Sequence, residues 1–133
     1  MNFYVASSLK NRDQVRSVAA ELKNVGWHHT YDWTQNERAN TLDVLGRIGK
    51  LEKEAIADSD VVLVLLPGGN GTHIELGLAI AWGKRTFLYS PDEKVMNLDT
   101  TSTFYHLPEV EICIGTIKEL IEKVKLSIDN QEK

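Results

Sequence analysis

The sequence predicts an α/β fold, a doubly wound, flavodoxin- or Rossmann-like sheet of five parallel strands with helices on both faces. Three observations predict it. Strand-like and helix-like segments alternate, with a unit of about 25 residues, as parallel strands joined by crossover helices require. The run VVLVLL over residues 61–66 is apolar at every position. A strand covered on both sides reads this way, whereas a strand with one wet face alternates. The chain has 133 residues and no repeat, low-complexity tract or Pro/Gly/Ser linker. It is read as one domain over 1–128 with a solvated tail over 129–133, able to bury a core without a metal or disulfide staple.

Each element has its own signal. Residues 3–6 form a short apolar run, the first strand. Asn11 or Ser8 caps a helix in which Val15, Val18, Ala19, Leu22 and Val25 recur at helical spacing, and Gly26 stops it. Residues 27–32 are β-rich, and 33–41 are polar and loop-like. Leu42, Leu45, Ile48, Leu51, Ala55 and Ile56 mark a second helix with soft spots at Gly46 and Gly49. Asp60 opens the third strand, which ends in the tight turn PGGNG over 67–71. Thr72 begins the third helix, which runs through Ile74, Leu78 and Ala81 to Gly83. Residues 86–90 and 110–114 are the last two strands, and Ile117, Leu120, Ile121 and Val124 form one face of the final helix. In such sheets ligands bind beyond the carboxyl ends of the strands, near the switch in strand order. The loops over 6–12, 67–72 and 90–104 are therefore expected to converge on one site.

Composition narrows the function. Lys and Arg number 15 against 19 Asp and Glu, for a formal charge of −4. Without a cationic surplus there is no general pull on a phosphate polymer, so a small molecule is expected and a nucleic-acid polymer is not. Cys113 is the sole cysteine, which excludes an intrachain disulfide and suits a reducing compartment. The longest apolar run falls far short of the roughly 20 residues that span a bilayer, and the N-terminal residues lack a signal-peptide pattern. The expectation is a cytoplasmic protein with no membrane partner. His28 and His29 are adjacent and would face opposite sides of a strand, and neither HExxH nor a cysteine cluster is present. No metal and no cofactor are expected.

The chemistry concentrates in LLPGGNGTHIELGLAIAWGK. Gly68, Gly69 and Gly71 allow positive φ and a close approach of a ligand to the backbone. The helix N-terminus that follows offers free N–H groups and a positive dipole end, suited to an anion or a sugar hydroxyl. No Gly-Lys-Ser/Thr follows, so this is not a phosphate loop of the Walker type. Ile74 stands where a dinucleotide fingerprint needs its third glycine. Glu75, placed in the first turn of that helix, has two readings. It is a carboxylate over the pocket, or the second half of a capping box with Thr72.

LPGGNGTHIELGLAIAWGKRTFLY resembles the signature of the nucleoside 2-deoxyribosyltransferase superfamily, which includes a nucleotide N-hydrolase branch. FYVASS resembles the family's first strand, and LEKEAIADSDVVLVLLP its approach to the third. The resemblance implies an enzyme in which Glu75 is the nucleophile, attacking the anomeric carbon of a nucleoside or nucleoside 5′-monophosphate and forming a glycosyl ester. Tyr4 matches a tyrosine that positions the nucleophile, although a strand tyrosine also simply packs in its sheet. Glu52 falls at a family carboxylate that contacts sugar or base, although it also fits a solvated helix charge. Asn97 resembles an asparagine lent to a neighbouring subunit's site, or is a turn residue. Gly69 stands where many transferases carry an aspartate, six residues before the nucleophile, that helps protonate the leaving base. In the hydrolase branch this turn holds a 5′-phosphate, a role that Gly69, Asn70, Gly71 and Thr72 fit. Ser7, Ser8, Lys10 and Arg12 would complete a phosphate cradle or serve as an ordinary strand-to-helix loop. Trp33 would line a base pocket, and Asp32 would bond a sugar hydroxyl or act as an acid, or the pair would form a hydrophobic anchor and a turn. His73 could reach a substrate or lie exposed, and His106 could pack a turn. Trp82, Phe104 and Tyr105 could pack against a second subunit, since the family implies a homodimer or larger homo-oligomer.

Two further functions remain open from these residues. One is a non-catalytic nucleotide-binding module on the same fold, motivated by Gly69. The other is a flavodoxin-like FMN binder, although the first loop, SSLKNR, lacks the Ser/Thr- and glycine-rich phosphate pattern.

Overall fold

The computed structural model describes residues 1–132. Five strands, β1 (Asn2–Ala6), β2 (His28–His29), β3 (Val61–Leu65), β4 (Arg85–Ser90) and β5 (Val110–Ile114), alternate with helices α1 (Arg12–Asn24), α2 (Leu42–Ala57), α3 (Asn70–Ala81) and α4 (Ile117–Glu132). All pairings are parallel, in the order β2-β1-β3-β4-β5. α1 packs with α4 and α2 with α3, so each face of the sheet is covered by two helices. The doubly wound fold read from the sequence is the fold observed. β3 is central and buried along its whole length, which is why its sequence is apolar throughout. The strand order reverses between β1 and β3, and the carboxyl ends of those two strands define the switch point.

Several local expectations are corrected. β2 is two residues long, not six. The Thr30 N–H still bonds the Phe3 carbonyl, but the Asp32 carboxylate then accepts from the Thr34 N–H and turns the chain into a 3-10 turn at Trp33–Gln35. Val25 of the expected α1 face is 46% exposed, because the helix ends at Asn24 and Gly26 (φ +93°) reverses the chain. In α2 only Ala55 and Ile56 reach the core. Leu42, Leu45 and Leu51 are exposed, and Leu45 and Ile48 line a cavity instead of the core. α3 begins at Asn70, two residues before the expected start. α4 continues through Glu132, so residues expected as a tail are helical that far, and Lys133 lies outside the described residues. None of Gly68, Gly69 and Gly71 has positive φ. Gly68 is needed for another reason, since a Cβ there would lie 2.5 Å from Thr72 Cγ2.

Among the described residues no helix is long and apolar enough to cross a membrane.

Candidate active site

A cavity of about 800 Å³ opens at the switch point. Its walls come from four places: Ser7, Ser8, Leu9 and Arg12 after β1; Trp33 and residues 36–39 after β2; Leu45, Ile48 and Glu52 of α2; and Gly69, Gly71, Thr72 and Glu75 at the start of α3. The volume is typical of small-molecule sites. The loop over 90–104 does not join it. It lines a second cavity of about 570 Å³ with Pro67, His73 and Tyr105, because β4 lies one strand beyond the switch point and the 67–69 turn stands between the two.

Glu75 is the anomaly of α3. Thr72, Glu75, Leu76 and Ala79 form the buried stripe of the helix, so a carboxyl occupies a core-facing position at 8% exposure. The expected Thr72–Glu75 capping box does not form. The helix starts earlier, with Gly69 at the N-cap, and the Gly69 N–H donates to Thr72 Oγ1 at 3.2 Å. Glu75 therefore sits in the second turn with its side chain free of capping duty. It accepts a short hydrogen bond from the Tyr4 hydroxyl, which also donates to Glu52 Oε2 at 3.2 Å. Tyr4 is fully buried in β1, next to β3, so it both packs in the sheet and reaches the cavity.

Two carboxyls thus surround one hydroxyl that carries one proton. Ionising both would leave one oxygen facing a lone pair, so the group retains a proton. Burial pushes the Glu75 carboxyl up to about 8; the Tyr4 hydroxyl opposes this and the neighbouring Glu52 adds to it. Burial also raises Glu52, while bonds with Tyr4 and Glu75 pull it down. Burial, and then the two carboxylates, hold the Tyr4 hydroxyl far above the ordinary tyrosine range, so it stays a donor. A carboxyl displaced this far in a cleft is a candidate functional group.

The remaining predicted residues divide clearly. Trp33 is buried and donates from Nε1 to the Val5 carbonyl at 2.7 Å, which fixes it as a cavity wall. Asp32 does not line the cavity; its carboxylate is used by Thr34 and Gln35. The Ser7 hydroxyl donates to the Leu65 carbonyl at 2.8 Å and Ser8 to Pro67 at 3.4 Å, so both shape the loop and neither offers a free proton to a ligand. Asn70, the first residue of α3, is exposed and outside the cavity wall, as is Lys10, whereas Arg12 lines it. Asn97 lines the second cavity. Tyr105 is buried within its own chain, while Trp82 and Phe104 are 41% and 60% exposed. His106 Nε2 bonds Thr101 Oγ1 at 2.9 Å within its loop. Residues 36–39, including Arg38, escaped sequence reasoning because a polar, aperiodic stretch gives no signal of which side faces a ligand. Arg12 and Arg38 make no salt bridge among the described residues. The N–H groups of Asn70, Gly71 and Thr72 likewise have no acceptor there, since the first helical bond runs from the His73 N–H to the Gly69 carbonyl.

Comparison with known proteins agrees with this architecture. The structure is similar to a CMP N-glycosidase, BcmB, of Clostridium botulinum, with a TM-score of 0.64 and 20% identity over 94% of this chain and 99% of that one. It is similar to the same degree, at 0.64 and 18% identity over 96% and 98%, to a conserved protein from Enterococcus faecalis V583. No curated protein matches the sequence. The model of the nucleoside 2-deoxyribosyltransferase family matches residues 3–132, nearly the whole chain, and with it comes activity at the N-glycosidic bond, by cleavage or transfer, as the general chemistry. The chain belongs to the nucleoside 2-deoxyribosyltransferase family.

Proposed function

We propose that the protein cleaves the N-glycosidic bond of a nucleoside 5′-monophosphate through a covalent ester on Glu75. One observation carries this reading. A carboxyl occupies the core stripe of α3, bonded by a buried tyrosine, on the wall of the cavity at the switch point. A fold does not bury a carboxyl in place of an apolar residue for stability.

The steps balance with the residues present. The ionised Glu75 attacks the anomeric carbon as the bond to the base breaks and its electron pair leaves with the base. The proton kept between Glu75 and Glu52 is then on Glu52, which delivers it to the departing nitrogen. This supplies an acid where Gly69 has none. Glu52, now ionised, takes a proton from water as that water attacks the anomeric carbon. The sugar phosphate departs and Glu75 is regenerated. Tyr4 holds Glu75 on line and lowers the cost of its charge.

Arg12, Arg38 and the free N–H groups at the start of α3 give the cavity donors for a phosphate, and they support a nucleotide over a nucleoside. Trp33 supplies an apolar wall for the base. Incubation with a panel of nucleosides and their 5′-monophosphates, with and without an acceptor base, should release free base from monophosphates, read by chromatography. Arg12→Ala with Arg38→Ala should raise KM for the monophosphate about tenfold or more. Saturable binding with no release, even on long incubation, would instead support a non-catalytic nucleotide-binding module, the reading that Gly69 favours.

We also read the protein as a homodimer or larger. α3 carries no charged residue except Glu75, which faces inward. Its outer side presents Ile74 at 66% exposure, and Trp82, at its C-terminal cap, is 41% exposed. A charge-free helix face is self-complementary across a two-fold axis. Sedimentation should give an oligomer for the wild type and a monomer for Trp82→Glu. With its single, internally unpaired cysteine, the chain suits the reducing cytoplasm.

A further inference from the structure

We propose that His73 is a positioning residue for the anion end of the cavity, acting through the Gly69 carbonyl and held in register by Tyr105. His73 lies on α3 but turns away from the Glu75 cavity, into the second one. Its Nδ1 is 2.8 Å from the Gly69 carbonyl oxygen and its Nε2 is 2.5 Å from the Tyr105 hydroxyl. A carbonyl only accepts, so Nδ1 carries the proton in this arrangement. Nε2 is then the acceptor for the Tyr105 O–H, and the tautomer is fixed. The two rings also stack, with centroids 5.8 Å apart.

Gly69 is thereby held through both of its backbone polar groups. Its carbonyl accepts from both the backbone N–H and the side chain of His73, and its N–H donates to Thr72 Oγ1. Gly69 has neither a side chain nor any neighbour within 4 Å of where a Cβ would stand, so packing does not fix it from the cavity side. The imidazole supplies that restraint. Rotation of the 69–70 peptide would shift the first turn of α3, where Gly71 and Thr72 line the cavity and their N–H groups have no acceptor among the described residues. Holding them still spares a bound anion the cost of ordering the turn.

This inference rests on the reading of the cavity as a nucleotide site, and the test separates the two. Binding of a nucleoside 5′-monophosphate and of its parent nucleoside is measured by calorimetry, alongside kcat and KM for base release. His73→Ala should weaken the monophosphate about tenfold in Kd and KM, with kcat and the nucleoside's Kd changing little. His73→Asn places an amide N–H where Nδ1 stood and should recover most of the loss. Tyr105→Phe, which keeps the stacked ring, should show a smaller loss with the same selectivity for the phosphate. A general structural role would instead weaken both ligands equally, with no rescue by Asn, and that result overturns the proposal, as does an unchanged His73→Ala. If the wild type binds the monophosphate but releases no base, the enzymatic reading fails while the role of His73 is still decided by the binding data. If it binds neither ligand, both fall.

Discussion

Glu75→Gln should abolish base release, with turnover falling about ten-thousandfold or more while nucleotide binding persists. The amide keeps the volume and accepts the Tyr4 hydrogen bond, but it cannot form the glycosyl ester. The same substitution should stabilise the protein at alkaline pH. The Glu75 carboxyl is pushed to about 8 in the folded chain, against 4.5 for a free glutamate. A group raised on folding contributes stability that is complete below its unfolded value and lost as pH rises through its folded one. The wild type should therefore lose stability as the pH rises from about 4.5 past 8, and the glutamine variant should not. Above pH 8 the variant should melt higher by roughly 1–2 kcal/mol, or about 3–8 °C. Lower activity together with higher stability is the signature of a functional group that the fold carries at a cost. Equal melting at pH 9, or turnover close to wild type, would remove Glu75 from the mechanism.

Tyr4→Phe should lower kcat/KM about a hundredfold and displace its pH profile. Base release by the wild type should fall along a descending limb near pH 8, where the Glu75–Glu52 pair loses the proton that Glu52 must deliver to the base. The Tyr4 hydroxyl favours the ionised carboxyl, so its removal should move that limb to higher pH. A variant that lost activity through misfolding would not shift the limb. Phenylalanine retains the fully buried ring between strands, so the fold should survive.

Much of this was legible before any coordinates. β3 declared itself by an unbroken apolar run, because a strand covered twice has no polar position to spare. β2 is shorter than its sequence suggests, because Trp27–Asp32 has strand propensity and propensity does not report that Asp32 caps a turn. Glu75 and Thr72 had the spacing of a capping box, and only the start of α3 at Asn70 decided against it. Tyr4 and Glu52 are 48 residues apart, and their contact depends on the crossover between β1 and α2. No local pattern encodes that. Arg38 and the His73–Tyr105 pair were invisible for the same reason. Each acquires meaning from a neighbour that only tertiary structure supplies.

The empty space beside Gly69 bears on how such enzymes diverge. A side chain introduced there meets nothing within 4 Å, and φ at −97° suits any L-residue. The Cβ of an aspartate, the residue that the family resemblance puts at this point in many transferases, can enter without moving the backbone. The rim of the cavity can therefore gain a side chain at this point while the scaffold behind it stays as it is.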